Sequence, residues 1–236
     1  MRRLSAALLL LAVIGVAAFA LLKDLSFDNA GIAFLGDSVT VGAAASSPSK
    51  DFVSLVTQDL DQRGIQEDAR SFISLDPNTD LAAAARAMKK SRRFVIVEFG
   101  AHAILDDQLS ADQFRQIYAG ILDCVAGGDT IVVAGTIPWL NWSANPNLNS
   151  RGDQFSRIIA EEAAKRGIAV ADLWSAMNLR PELISTPQDY TFTSPHKGDD
   201  FHPNDAGHAV IAQEYEKALA AELANPPHRP YAGHCP

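Results

Sequence analysis

Residues 31–40, GIAFLGDSVT, are the stretch that decides the fold. The apolar run Ile32–Leu35 is typical of a buried strand, and Gly36-Asp37-Ser38 breaks that strand into a turn. In open α/β sheets, ligands bind at the carboxyl ends of the strands. The pattern therefore places the Ser38 hydroxyl at the edge of a sheet where a functional site is expected. It also predicts that the Ser38 backbone N–H lies in the first turn of the helix that follows.

Apolar runs typical of buried strands alternate with helical patterns along the rest of the chain. The further strands are predicted at Phe94–Phe99, Thr130–Ala134 and Ile168–Leu173, with a weaker one at Ser71–Leu75. The helices are predicted at Phe52–Leu60, Leu81–Met88, Phe114–Val125, Phe155–Ala164 and Asn204–Ala224, with Pro203 in the first turn of the last one. This alternation predicts an α/β fold with a parallel sheet and helices on both of its faces.

The N-terminus carries a long uncharged run. Arg2 and Arg3 precede residues 4–22, which contain no charge, and Lys23 closes the run. As a helix it is about 28 Å long, close to the thickness of the bilayer core. It is either an uncleaved signal anchor or a signal peptide cut after Ala20, and its length favours the anchor. Both alternatives predict an exported, extracytoplasmic protein, membrane-anchored or, if cleaved, secreted.

The chain is accordingly divided into four parts. Residues 1–23 are the anchor or signal peptide, 24–30 a short linker, 31–225 one α/β domain and 226–236 a proline-rich tail. The net charge of −8 argues against a nucleic-acid partner, because binding to phosphates needs a basic face.

The two cysteines leave two alternatives open. Cys124 and Cys235 can form a disulfide in an oxidising compartment, which would tie the tail to the domain. Alternatively, Cys124 is a buried apolar residue of a helix. No metal site is predicted, because His196, His202 and His208 are spaced six residues apart and do not share one helical face.

A second chemical motif, Asp199-Asp200-Phe201-His202-Pro203, precedes the last predicted helix. A serine hydroxyl needs a base to accept its proton and a group that orients the base. His202 can be that base for Ser38, and Asp199, three residues earlier, can bond the other ring nitrogen. The spacing favours Asp199 over Asp200. Alternatively, Ser38 is only a helix N-cap.

The two motifs together resemble the SGNH, or GDSL-type, hydrolase family. The Gly36-Asp37-Ser38-Val39 string follows the first strand and Asp199-x-x-His202-Pro203 precedes the last helix, as they do in that family. The resemblance extends over residues 31–224. It implies a three-layer, flavodoxin-like α/β/α fold and ester hydrolysis by Ser38, Asp199 and His202 without a metal or cofactor.

The oxyanion hole that the resemblance implies is altered in two places. The family's Gly-x-Asn-Asp block appears as Gly100-Ala101-His102-Ala103, so His102 stands in place of an asparagine. Histidine can still donate a ring N–H. In the family's second block, Leu75 takes the place of a glycine, with Ser74 as the alternative. The predicted hole therefore consists of the Ser38 and Leu75 backbone N–H groups and His102.

The function predicted from these residues is an exported serine esterase for small acyl esters, such as an acetylated glycan or a lipid ester. Trp139, after the fourth strand, either packs under a loop or forms a wall of the substrate pocket. Two alternatives remain: an O-acyltransferase using the same serine, and a non-catalytic glycan-binding module that has lost its oxyanion hole.

Overall fold

A computed structural model of the chain describes residues 31–65, 68–73, 93–126, 130–141, 146–193, 198–224 and 235. Its sheet has five strands in the order β2-β1-β3-β4-β5, and every pair is parallel. The strands are β1 (Gly31–Gly36), β2 (Asp68–Ile73), β3 (Phe94–Glu98), β4 (Ile131–Gly135) and β5 (Ala169–Ala171). This order is that of flavodoxin-like folds, which confirms the expected sheet.

Helices cover the sheet from both sides. They are α1 (Phe52–Gln62), α2 (Ala101–Leu105), α3 (Ala111–Val125), α4 (Pro146–Lys165), α5 (Leu173–Met177) and α6 (Asp205–Ala224), with short 3-10 turns at Pro48–Lys50 and Pro181–Leu183. Helix α1 packs against α6, and α3 packs against α4. Both α4 and α6 also contact β4 and β5. The predicted three-layer arrangement is confirmed.

The core explains why β1, β3 and β4 read as uninterrupted apolar runs. All three strands are buried along their length, as is typical of strands covered on both faces. Between α1 and α6, the ring of Phe52 lies 5.6 Å from that of Tyr215. Between α3 and α4, Phe114 stacks on Phe155 at 4.1 Å. Aromatic pairs thus join the helices of each layer.

Three helix starts differ from the prediction, and the first is that of α3, which begins at Ala111 rather than at Phe114. Helix α4 begins at Pro146 rather than at Phe155, because its first turns are polar and carry no apolar period. The placement of Pro203 in the first turn of the last helix is wrong. Asn204 caps α6 instead, with its Oδ1 accepting from the N–H groups of Ala206 (2.9 Å) and Gly207 (3.0 Å).

A disulfide joins Cys124 of α3 to Cys235 in the tail. Cys124 is buried, but the alternative that it serves only as an apolar residue is wrong. Of the two alternatives, the structure therefore shows the disulfide that ties the tail to the domain.

Several predictions fall on residues outside the described ranges. They are the apolar run and linker in residues 1–30, the oxyanion candidates Ser74 and Leu75, the helix at 81–88, and the tail apart from Cys235. Within the part of the chain that the structure describes, no helix is both long enough and apolar enough to cross a membrane.

Candidate active site

Ser38 lies in a compact loop at the carboxyl end of β1, here named the serine loop (residues 37–46). The Val41 N–H donates to the Asp37 carbonyl (3.2 Å), and the Ala43 N–H donates to the Ser38 carbonyl (3.0 Å). The backbone then takes positive φ values at Gly42 (+82°) and Ala44 (+66°). Helical turns cannot continue through such a residue. The expectation that Ser38 sits in the first turn of a helix is therefore wrong.

The alternative that Ser38 is only a helix N-cap is also wrong. Helix α1 starts at Phe52, and its N-cap is Asp51, whose side chain accepts from the Ser54 N–H. The Ser38 hydroxyl is thus free of that role and bonds elsewhere in the fold.

Gly36 allows the serine loop to pack tightly on β3. A Cβ at this position would lie 1.9 Å from Thr40 Oγ1 and 2.3 Å from the Glu98 carbonyl oxygen. No side chain fits there without moving backbone, so the glycine before Asp37 sets the closeness of the turn.

Asp37 holds the serine loop to the segment that follows β3. Its carboxylate is fully buried, with Oδ1 accepting from the Val39 N–H and Oδ2 from the Ala101 N–H, each at 3.2 Å. These bonds make Asp37 a structural turn residue and fix α2 beside Ser38.

Glu98, the last residue of β3, lies buried next to Asp37. Its Oε2 accepts from Thr40 Oγ1 at 2.8 Å, and its Oε1 has no hydrogen-bond partner among the described residues. Burial, and then the charge of Asp37, raise the pKa of Glu98 well above its usual value. Burial also raises the pKa of Asp37, but backbone N–H bonds oppose this effect. We infer that Glu98 keeps the proton and Asp37 the charge.

The second half of the site is the histidine loop (residues 198–204). Asp199 Oδ1 accepts from the N–H groups of Phe201 (3.0 Å) and His202 (2.7 Å), which closes a tight turn. Asp199 Oδ2 lies 2.6 Å from His202 Nδ1, and His202 Nε2 lies 2.8 Å from Ser38 Oγ. The structure thus brings Ser38, His202 and Asp199 into one continuous hydrogen-bonded chain.

The electrostatics of this chain assign its protons. Burial raises the pKa of Asp199, but hydrogen bonds from the ring and backbone N–H of His202 outweigh it, so the pKa lies below the usual range. An ionised Asp199 requires the proton on Nδ1 of a neutral His202, which leaves Nε2 free to accept from Ser38. The His202 side chain is 18% exposed and that of Asp199 51%, so substrate and water can approach.

Ser185 supports the histidine loop and was missed by the sequence analysis. Its Oγ donates to the Asp199 carbonyl (2.6 Å) and accepts from the Asp199 N–H (3.1 Å). Its own N–H donates to the His202 carbonyl at 2.9 Å. A lone serine in a distant loop carries no signal of such contacts, because they depend on tertiary structure.

His102 is exposed and belongs to α2, which starts directly after β3. The preceding Gly100 has a φ of +142°, and a Cβ there would lie 2.7 Å from Ile137 Cδ1, so this position favours glycine. Strand β3 pairs with β1, and Ala101 bonds Asp37. The ring of His102 is therefore carried at the same sheet edge as Ser38. Leu75, the other proposed donor, lies outside the described residues.

Trp139 follows β4 and is 1% exposed. Its Nε1 donates to Asn149 Oδ1 at 2.9 Å. This burial fits the interpretation as a packing residue and leaves little surface to form a pocket wall. Among the described residues, no group of three or more His, Cys, Asp or Glu side chains is arranged to hold a metal ion.

Comparison with solved structures shows the same fold. A lipase/acylhydrolase from Enterococcus faecalis aligns with a TM-score of 0.61 at 20% identity, covering 83% of this chain and 97% of that one. A variant of an acetyl xylan esterase from Geobacillus stearothermophilus aligns at 0.59 with 16% identity, covering 83% and 96%. The salicylyl-acyltransferase SsfX3 of a tetracycline biosynthetic pathway aligns at 0.57 with 20% identity, covering 87% and 57%.

Comparison of sequences gives the family. No curated protein matches the chain. A profile of the GDSL-like lipase/acylhydrolase family, by contrast, matches residues 34–210, a span that starts in β1 and ends within α6. Because this match covers most of the chain, the protein belongs to the GDSL-like lipase/acylhydrolase family and is an ester hydrolase.

Proposed function

We propose that the protein is an exported serine esterase that hydrolyses small acyl esters through an acyl-enzyme on Ser38. The observation that carries the proposal is the hydrogen-bonded chain from Ser38 Oγ through His202 to Asp199. In this arrangement a weak nucleophile has its base within bonding distance, and the base has an ionised group that fixes its tautomer.

The proposed reaction has two halves. In the first, Ser38 Oγ attacks the ester carbonyl carbon while its proton passes to His202 Nε2. His202 then gives that proton to the leaving alcohol oxygen, and the acyl group stays on Ser38 as an ester. In the second, water attacks this ester and loses a proton to Nε2, which returns it to Ser38 Oγ as the acid departs.

The negative oxygen of both tetrahedral intermediates needs hydrogen-bond donors. We assign them to the Ser38 backbone N–H, a second N–H near Ser74–Leu75 and a ring N–H of His102. Loss of one such donor lowers turnover by about 10²–10³-fold. The exposure of His102 on the edge that carries Ser38 supports its assignment, because an exposed ring can reach a bound ester.

The proposed substrates are small acyl esters, with an acetylated glycan or a lipid ester as examples. Exposed apolar side chains on the segments that carry Ser38 and His102 support an acyl ester as the substrate. Val41 in the serine loop is 37% exposed, and Leu105, one turn after His102 on α2, is 50% exposed. A panel of p-nitrophenyl esters of increasing chain length measures how long an acyl chain the site accepts.

The proposed location is outside the cytoplasm, with residues 1–23 as a membrane anchor or, if cleaved after Ala20, as a signal peptide. The Cys124–Cys235 disulfide supports export, since such bonds persist mainly in oxidising compartments. Protease accessibility in intact cells tests it, and degradation only after the membrane is broken would contradict export.

The central test is modification of Ser38 by a fluorophosphonate in a chain that lacks residues 1–23. We expect labelling of Ser38 and ester hydrolysis, and a loss of about 10⁴-fold or more in turnover for Ser38→Ala. A folded protein that is neither labelled nor active would contradict the proposal and favour a non-catalytic glycan-binding module.

A second candidate is an O-acyltransferase, in which an acceptor hydroxyl replaces water in the second half-reaction. Its support is the fold shared with a salicylyl-acyltransferase. The two differ in product, so sugar alcohols are added to the hydrolysis assay. Transfer that exceeds hydrolysis would favour the acyltransferase, and free acid alone would favour the esterase.

A further inference from the structure

Ser38 and His202 are 164 residues apart in sequence, and each lies in a loop rather than in a strand of the sheet. Strand pairing therefore does not fix the 2.8 Å distance between Ser38 Oγ and His202 Nε2. Contacts between the serine loop and the elements around the histidine loop must do so. One is the bond from the Phe192 N–H to the Ala45 carbonyl (3.0 Å). The others converge on the start of α6.

Asp205, the first residue of α6, binds the end of the serine loop at two points. Its Oδ1 accepts from the Ser46 N–H at 2.8 Å, and its Oδ2 accepts from the Ser46 hydroxyl at 2.6 Å. Both residues are half-buried. A two-point bond of this kind restricts orientation as well as distance.

His208, one turn further along α6, binds the same segment from inside the core. Its side chain is fully buried, its Nε2 donates to the Ala43 carbonyl at 3.0 Å, and its Nδ1 accepts from the Phe52 N–H at 3.4 Å. The carbonyl and the N–H partner together require the neutral ring with its proton on Nε2. The ring also stacks on Phe52.

The start of α6 is rigidly connected to His202. Asn204 caps the helix through its Oδ1, and its Nδ2 donates to the carbonyls of Glu182 (2.9 Å) and Ile184 (3.1 Å). The His202 carbonyl accepts from the Ser185 N–H. Asp205 and His202 therefore belong to one fixed segment, and what holds the serine loop to Asp205 also sets its distance from His202.

We propose that Asp205 and His208 are positioning residues that hold the serine loop at hydrogen-bond distance from His202. The two residues, with their partners Ser46 and Ala43, are here named the helix clamp. The inference rests on the proposed function of Ser38. The clamp contacts neither Ser38 nor His202 directly. It acts through the backbone of the two loops that carry them.

The expected effect is a loss of turnover without a loss of fold. A misplacement of about 1 Å between reacting groups lowers rates by about 10²-fold, and Asp205→Ala removes one part of the clamp, so we expect a fall in kcat of about 10-fold. KM stays close to wild type. Thermal unfolding changes little, because water can replace the lost bonds at two half-buried residues.

Asp205→Asn is the conservative variant. Its amide oxygen can accept from the Ser46 N–H, and its amide NH₂ can donate to the Ser46 hydroxyl. We therefore expect it to recover most of the kcat lost in Asp205→Ala. Ser46→Ala removes only the hydroxyl bond, so its expected loss is about 3-fold, and it leaves α6 intact.

The experiment measures kcat and KM with p-nitrophenyl acetate, the rate of fluorophosphonate labelling of Ser38, and thermal unfolding. The variants are Asp205→Ala, Asp205→Asn, Ser46→Ala and the Asp205→Ala/Ser46→Ala double variant. Two controls remove surface contacts nearby: Ser47→Ala, whose hydroxyl lies 3.1 Å from Ser49, and Glu214→Ala, which pairs with Lys217 on α6.

The clamp is supported if Asp205→Ala slows both turnover and labelling, Asp205→Asn restores both, and the double variant matches Asp205→Ala. It is overturned if Asp205→Ala keeps the wild-type labelling rate, if Asp205→Asn is equally slow, or if the controls lose as much. A wild-type protein that is neither active nor labelled overturns the proposed function and, with it, the clamp. A reactive wild type with an Asp205→Ala variant that is labelled and turns over at the wild-type rate overturns the clamp alone.

Discussion

Asp199 and His202 lie three residues apart in one loop, whereas Ser38 and His102 follow two different strands. Ser38 and His102, at the ends of β1 and β3, are here named the oxyanion side. The histidine loop closes through its own backbone, with Asp199 accepting two N–H bonds within the loop. The oxyanion side depends on a buried carboxylate, Asp37, that joins two strand ends. The geometry of the histidine loop is therefore set by residues that are neighbours in sequence, whereas the geometry of the oxyanion side depends on the pairing of strands in the sheet.

The largest expected loss of turnover comes from a substitution in the histidine loop. Asp199→Asn replaces the ionised group that keeps the proton on His202 Nδ1, so we expect kcat for p-nitrophenyl acetate to fall by about 10⁴-fold. Asp200→Asn is the matched control, because Asp200 contributes its backbone carbonyl, to Asn141, and its side chain takes no part in the chain to Ser38. Equal losses in the two variants would contradict the assignment of Asp199.

The next largest effect tests the oxyanion side. His102→Ala removes a proposed donor, and we expect kcat to fall by about 10²-fold. The unfolding midpoint should hardly change, because the side chain is exposed. His102→Asn keeps a donor and should recover part of the loss. Wild-type turnover in His102→Ala would contradict the assignment of His102 to the oxyanion hole.

Two buried groups, His208 and Glu98, should make the stability of the fold depend on pH in opposite directions. In α6, which follows the histidine loop, burial lowers the pKa of His208 from 6.5 to about 4. Between these values the unfolded chain binds a proton that the folded protein does not. Stability should therefore fall by about 3 kcal/mol as the pH drops from 6.5 to 4. Denaturant unfolding across this range checks it, and His208→Gln should lose this dependence. An unchanged slope in the variant would contradict it.

For Glu98, at the end of β3, the dependence of stability on pH has the opposite sign. The raised pKa of Glu98 means that the folded protein binds a proton that the unfolded chain releases above pH 4.5. Its contribution is therefore fully present in acid and is lost as the pH rises through the folded value. Glu98→Gln cannot ionise, so its stability relative to wild type should increase between pH 5 and 8 in denaturant unfolding. A constant difference over this range would contradict the raised pKa, because Glu98 would then ionise in the fold as it does in the unfolded chain.

The same contrast explains which features could be predicted from the sequence. The strands and the parallel sheet follow from apolar runs that alternate with amphipathic helices, and the Asp199–His202 contact follows from a three-residue spacing. These patterns involve residues that are close together in the sequence, so they can be recognised without the structure. The flavodoxin-like arrangement was implied by the family resemblance. The start of α4 was misplaced because its first residues are polar and show no helical period.

The missed features depend on contacts between distant segments or on an unusual backbone. Ser38 was expected in the first turn of a helix, but the positive φ values of Gly42 and Ala44 end the helical turns early. Ser185 reaches Asp199 only once two loops meet. The helix clamp pairs Ser46 with Asp205 across 159 residues, a distance at which spacing has no meaning. Such contacts are visible only after folding.

The disulfide between Cys124 and Cys235 separates the proposed catalytic residues into two groups along the chain. The covalent ring that it closes contains Asp199 and His202. Ser38 and His102 lie outside this ring, in the part of the chain that precedes Cys124. A protease cut anywhere within the ring leaves both fragments attached until a reductant is added. Reduction releases a constraint worth about 4–5 kcal/mol in the chain-entropy description. A change of redox environment would consequently lower the stability of the whole domain, because the lost constraint acts on the unfolded chain.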